Sequence, residues 1–277
     1  MKPRAPKASS ERRAAYRLVL EYDGGRFQGW QKQGARQSAQ GVRTVAGTLE
    51  RVLHQAGLHT LALMGSGRTD AGVHALGQVA HLHLEQSLHA SELRRMLDEG
   101  LPGDIAVVSL ESCSPAFHAR HDAQSRTYLY QLTLRRTAFA KPYAWWVKGS
   151  LDLSLLEEAW RLFEGHHTID AFADLEPGED GRVHLHRCSM VADDDMVRLR
   201  VTGSFFLRRQ VRRMVGAAVR CAQGKESLET LKLDLARPTT DANLYWSDKA
   251  APAAGLFLES VQYGGEQGKA AGRGPRR

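Results

Sequence analysis

Seven runs of the chain alternate apolar and polar side chains with the two-residue period of a half-buried strand. They are Tyr16 to Tyr22, Gln78 to Leu84, Ile105 to Leu110, Thr127 to Leu134, Val183 to Ala192, Met196 to Thr202 and Leu256 to Tyr263. Between them, Val45, Leu49, Val52, Leu53 and Ala56 recur at helical spacing. So do Leu155, Ala159, Trp160 and Phe163, where Ser154 and Glu157 read as a capping box and Gly165 as a stop. A third helix is written in Leu207, Val211, Met214, Val215, Ala218 and Val219 and ends near Gly224; a shorter one follows Ser227. A doubly wound parallel sheet requires strict βαβα alternation, and this order is irregular. The chain is therefore predicted to be α+β, an antiparallel or mixed sheet with helices packed on it. The stretch from Arg135 to Ser150, with Pro142, Tyr143, Trp145 and Trp146, is predicted to join two halves of comparable length, 14–135 and 136–263.

Residues 1–13 and 264–277 lack periodic apolar positions and read as disordered basic tails. They also hold the charge. The chain carries 38 Lys and Arg against 31 Asp and Glu, a net +7, of which Met1 to Arg13 contribute +4 and Gly264 to Arg277 contribute +3. The body between them is neutral, so a polyanionic partner must be gripped there by local clusters. No window approaches 18 consecutive apolar residues and no apolar segment follows the basic N-terminus, which argues against a membrane span and secretion. Cys113, Cys188 and Cys221 are too scattered for a disulfide framework or a C-x-x-C half-site and read as reduced thiols in a cytoplasm.

The most unusual segment is Gly65-Ser66-Gly67-Arg68-Thr69-Asp70-Ala71-Gly72-Val73-His74-Ala75. Three glycines force sharp turns and present small polar groups beside an Arg, an Asp and a His. By pattern alone it fits equally a surface turn in which Asp70 caps nearby amides. The Lys-Ser/Thr ending of a phosphate-binding P-loop is missing.

Arg68-Thr69-Asp70-Ala71-Gly72-Val73-His74-Ala75 resembles the active-site motif of the tRNA pseudouridine synthase A family, in which the aspartate is the nucleophile. Further matches follow in order: Tyr22-Asp23-Gly24 with Phe27, Gly29, Trp30 and Gln31; Phe117-His118-Ala119-Arg120; Arg126-Thr127-Tyr128-Leu129-Tyr130; Phe206-Leu207 with Val211-Arg212 and Val215-Gly216; and Gly255-Leu256-Phe257-Leu258. The likeness spans roughly Tyr16 to Tyr263. There are departures: Ala35 to Val42 resembles an insertion, Ala46 replaces a usual Gln, the helix around Arg208, Arg209, Arg212 and Arg213 is unusually rich in arginine, and Asp174 to His184 differs from the usual loop.

The resemblance implies a pseudouridine synthase-like fold with two similar halves around a central cleft. It implies a homodimer with one tRNA touching both copies, and uridine isomerisation in the anticodon arm, at tRNA positions 38 to 40. The reaction breaks an N-glycosidic bond and rejoins the same uracil through C5, which requires no cofactor and no metal. It does require an ionised carboxylate shielded from water, and desolvation alone would protonate it. By resemblance Arg212 supplies the opposing guanidinium, and Tyr128 lies against the target base. Arg68, Thr69, His74, Arg120, Arg208 and Arg209 are the expected substrate contacts. Within the third helix, spacing puts Arg209 and Arg213 away from the apolar face, as phosphate contacts or solvated side chains, with Arg208 and Arg212 flanking it.

Other functions were open at this level. A metal site is disfavoured because the pairs His81/His83, His184/His186 and His118/His121 lack a clear third ligand, and the H-x-E and P-C-x-x-C pieces of a zinc deaminase are absent. Gly165-His166-His167-Thr168 resembles the family segment that follows its central helix, with a plain helix C-terminus as the alternative, and Phe27 and Trp30 fit RNA contact or core equally. A non-catalytic RNA-binding or remodelling protein, or the same chemistry on another RNA, are the alternatives. The combination of Asp70, Arg68, Tyr128 and Arg212 argues for the enzyme.

Overall fold

The computed structural model describes residues 14–31, 42–176, 178, 180–236 and 240–264. Both expected tails, Gly264 aside, and the insertion up to Val42 lie outside the described residues. The strands are β1 (Ala14–Tyr22), β2 (Thr60–Gly65), β3 (His74–Leu84), β4 (Ile105–Ser112), β5 (Ala123–Thr133), β6 (Trp145–Trp146), β7 (Gly165–Thr168), β8 (Arg182–Asp193), β9 (Met196–Gly203) and β10 (Leu256–Tyr263). The helices are α1 (Val45–Gln55), α2 (Ala90–Gly100), α3 (Leu153–Arg161), α4 (Gln210–Ala222), α5 (Leu228–Ala236) and α6 (Thr240–Ser247).

All these strands join one mixed sheet in the order β4-β1-β3-β10-β5-β9-β8-β7, with β2 on β3 and β6 on β5. The α+β architecture is the one that the irregular element order predicts. Only the β3–β10 and β5–β6 pairings are parallel among those described. Strand β3 is paired along its length by β1, from Ala75 to Leu84. A strand has two edges, so β2 and β10 must share the other: β2 takes Ala80 to Leu84, and β10 takes His74 and Ala75. The loop from Ser66 to Val73 leaves the sheet where one neighbour gives way to the next.

Burial follows the period of each element. Tyr16, Leu18 and Leu20 of β1 are buried, as are Tyr128, Tyr130 and Leu132 of β5. The large buried aromatics keep their polar ends satisfied: Tyr130 donates to the Pro252 carbonyl at 2.8 Å and the Trp160 indole to the Arg200 carbonyl at 3.1 Å. Phe27 and Trp30 are 2% and 3% exposed and belong to the core. Among the described residues no helix is long and apolar enough to cross a membrane.

Four local expectations are corrected. Helix α3 is capped by Asp152, whose carboxylate accepts from the Leu155 N–H at 3.0 Å; Ser154 is already inside the helix, and Glu157 pairs with Arg161 instead of closing a box. Gly165 to Thr168 is an edge strand, β7, paired with β8, rather than a helix end. Helix α4 starts at Gln210, not Leu207, because Arg209 adopts a left-handed conformation (φ 60°) and the Gln210 side chain reaches back to accept from the Leu207 N–H at 2.9 Å. In α4 Arg213 does not face solvent. It is 1% exposed and pairs with Asp174. That helix is buried on nearly every side, so no polar face exists for Arg213 to occupy.

Candidate active site

The loop carrying Asp70 is held from beneath by the segment that begins Tyr22-Asp23-Gly24. The Trp30 N–H donates to the Thr69 carbonyl and the Gly72 N–H to the Phe27 carbonyl, each at 3.1 Å. Gly29 makes this approach possible: its φ is +88°, and a Cβ there would stand 2.4 Å from the Thr69 carbonyl oxygen. Tyr22 and Thr69 share a hydroxyl hydrogen bond of 2.8 Å. Gln78, fully buried on β3, accepts from the Ser66 hydroxyl at 2.8 Å and donates to the Gly67 carbonyl at 2.9 Å. A buried amide thus spans the entry of the loop with both its polar ends satisfied.

At the far end, His74 is 1% exposed and stacks on Phe257 with ring centroids 4.7 Å apart. The Gly24 N–H donates to its Nδ1 at 3.0 Å, so Nε2 carries the proton and donates to the Pro142 carbonyl at 3.1 Å. Burial holds its pKa below the ordinary imidazole range, although the Asp23 carboxylate 3.1 Å away pulls the other way. A neutral ring fits both hydrogen bonds. Thr69 and His74, expected as substrate contacts, are therefore placed inside the scaffold of the loop.

Asp70 itself stays partly open, its side chain 30% exposed. From α4, the Arg212 guanidinium comes to 3.7 Å of its carboxylate, a charge contact longer than a hydrogen bond. Arg212 is fixed from behind: its Nε donates to the Ala251 carbonyl at 2.7 Å, and the Ala251 N–H returns a bond to the Arg212 carbonyl at 2.9 Å. Tyr128 presents its hydroxyl beneath the loop, where a Cβ on Gly67 would be 3.7 Å from it, and packs edge-on against Phe206. Burial pushes the Tyr128 phenol up to about 12, with Asp70 adding to the rise and Arg126 opposing it. At neutral pH the phenol is protonated, so it carries a proton to donate and a ring face to stack.

The structure thus brings Asp70, Arg212 and Tyr128 together. Arg68 and Arg120 are exposed at the surface. Arg208 and Arg209 are also exposed, with their Nε atoms 3.9 and 3.5 Å from Asp174, the same carboxylate that Arg213 holds. Sequence reasoning passed over Tyr22, Gln78 and Arg126 as parts of the site. A glutamine in a buried register of β3 was the one intrinsic signal. The histidine pairs do lie close, with ring centroids 5.2 Å apart for His81 and His83, 4.6 Å for His184 and His186 and 4.1 Å for His118 and His121. Among the described residues no three His, Cys, Asp or Glu side chains converge as a metal site.

A family model described as tRNA pseudouridine synthase matches residues 18–122 and 159–264. A protein named tRNA pseudouridine synthase A from Thermus thermophilus is 39% identical over 251 residues, 89% of this chain and 95% of its own length. Namesakes from Dictyoglomus thermophilum and Bacillus sp. strain KSM-64 are 35% and 32% identical over 252 residues, in each case 90% of this chain and 99% of theirs. Fold and relatives together define an enzyme, an isomerase that converts uridine to pseudouridine. The chain belongs to the tRNA pseudouridine synthase family.

Proposed function

We propose that this chain isomerises uridines of the tRNA anticodon stem-loop, at positions 38 to 40, acting in the cytoplasm as a homodimer with one tRNA contacting both copies. The observation that carries the catalytic part is the Asp70 carboxylate on its turn, 3.7 Å from an anchored Arg212 and above Tyr128. Asp70 attacks or stabilises the sugar at C1′ as the bond to uracil N1 breaks. The freed uracil turns, C5 bonds to C1′, the C5 proton leaves and N1 gains one, so no redox equivalent is consumed. Arg212 sets a fixed positive charge opposite the Asp70 carboxylate where the bound base excludes water. Tyr128 offers its ring face and a phenolic proton to that base. Drawing the uridine out of its stack costs a few kcal/mol, which contacts from Arg68, Arg120, Arg208 and Arg209 to phosphates offset.

Tritium release from tRNA labelled at uracil C5 tests this directly. Wild type is expected to release tritium, and Asp70→Asn, which keeps shape and loses the nucleophile, is expected to bind RNA and release none. Equal release by both proteins would remove Asp70 from the chemistry. Binding of tRNA with no release by wild type would favour an RNA-binding protein, and release only from another RNA would change the substrate.

A further inference from the structure

Arg126, on β5 two residues before Tyr128, is 7% exposed and makes an unusual set of contacts. Its Nη2 donates to the Ser66 carbonyl at 2.9 Å and to the Arg120 carbonyl at 2.7 Å. Its Nη1 donates to the Ser204 carbonyl at 2.7 Å and to the Ala123 carbonyl at 3.4 Å. None of these partners is a carboxylate. A buried guanidinium is ordinarily neutralised by an acid, which ties it to one neighbour. Here the charge is solvated by four backbone carbonyls from three segments: the Asp70 loop, the turn into β5 and the connection after β9.

Those segments are the ones that carry the site. Ser66 opens the loop of Asp70 and is fixed on its other side to β3, through its N–H to the Val79 carbonyl at 2.7 Å and its hydroxyl to Gln78. Arg120 and Ala123 bound the turn that leads into β5. Ser204 follows β9 and begins the connection through Phe206, which packs on Tyr128, to Arg212 on α4. The Asp70–Arg212 contact has no hydrogen bond of its own, so its length depends on how the loop and this connection are held relative to each other. A planar fork of N–H donors suits that task, because its bonds leave in fixed directions.

We infer that Arg126 is a positioning residue for the isomerisation, clamping the Asp70 loop, the turn at Arg120 and the connection to Arg212 into one register. This rests on the catalytic reading of Asp70 given above. A displacement of about 1 Å at a reacting group slows chemistry on the order of 100-fold. The clamp therefore acts on the rate of the bound substrate and leaves RNA affinity nearly untouched.

The test compares single-turnover rates and tRNA dissociation constants of wild type, Arg126→Lys, Arg126→Gln and Arg126→Ala, at a temperature where melting curves show each protein folded. Asp70→Asn is run alongside. Arg126→Gln is expected to slow the saturating rate about 100-fold with affinity within about 3-fold, and Arg126→Lys to fall between it and wild type. Added methylguanidinium is expected to restore a measurable part of the Arg126→Ala rate, which a loss of stability alone would not allow. A folded Arg126→Gln at the wild-type rate overturns the clamp, as does a loss confined to affinity. Should Arg126→Gln not fold, Arg126→Lys decides, since one ammonium cannot reach all three segments: a wild-type rate overturns the assignment. A silent wild type, by contrast, would bring down the catalytic reading itself and this inference with it.

Discussion

At the scale of single residues, the two adjacent arginines of α4 do opposite jobs. Arg212 faces Asp70 with its Nε already spent on the Ala251 carbonyl, so its remaining nitrogens approach from a fixed direction. A lysine would keep the charge and lose that anchor. Arg212→Lys is expected to slow the single-turnover rate about 100-fold at saturating tRNA, measured by tritium release. Arg213 is buried, and Asp174 is what makes its burial tolerable, whereas Asp174 retains Arg208 and Arg209 if Arg213 is lost. The pair should therefore respond unequally. Asp174→Ala strands a buried cation and is expected to cost about 3 kcal/mol in urea unfolding, while Arg213→Met costs clearly less. Equal losses would mean that the three arginines do not share the carboxylate.

At the scale of elements, α4 is set by a close approach. A Cβ on Gly216 would lie 2.0 Å from the Lys249 carbonyl oxygen, in the same segment that anchors Arg212 through Ala251. Gly216→Ala must push helix and segment apart. The expected outcome is a loss of about 1–3 kcal/mol in unfolding free energy together with a slower single-turnover rate, whereas an intact rate would show that Arg212 does not depend on this contact. The elements also show what a sequence can display. Strands such as β1 and β9 were readable because one face is buried and the other is not. Helix α2 was missed because only Leu93 and Leu97 are buried on it and the rest is charged, with pairs such as Arg94–Asp98 along its surface. Strand β2, Thr-Leu-Ala-Leu-Met-Gly, has no alternation to betray it. The loop of Asp70 was legible as a motif, yet its opposition to Arg212 came from resemblance, since nothing local links residues so far apart. The same limit explains Arg213: spacing assumes one buried stripe, and the counter-charge that lets a second face be buried is Asp174, 39 residues away.

At the scale of the whole molecule, charge and chemistry are separated along the chain. The two terminal segments carry the entire net charge of +7, and the Asp70, Arg212 and Tyr128 cluster lies in the neutral body. Removing residues 1–13 and 265–277 is expected to weaken tRNA binding and flatten its dependence on salt, with the rate at saturating RNA nearly unchanged. An unchanged salt slope would show that these segments do not touch RNA.

The placing of β10 also orders events in time. It is synthesised after β3 and β5, yet it lies between them, paired to His74 and Ala75 of β3 on one side and to Tyr128 and Leu129 of β5 on the other. While a ribosome is still adding the residues before Leu256, β3 and β5 each keep an open edge and the Asp70 loop and Tyr128 have no strand to join them. Of the described strands, the last to be made is thus the one that closes the middle of the sheet and links the Asp70 loop to the strand of Tyr128.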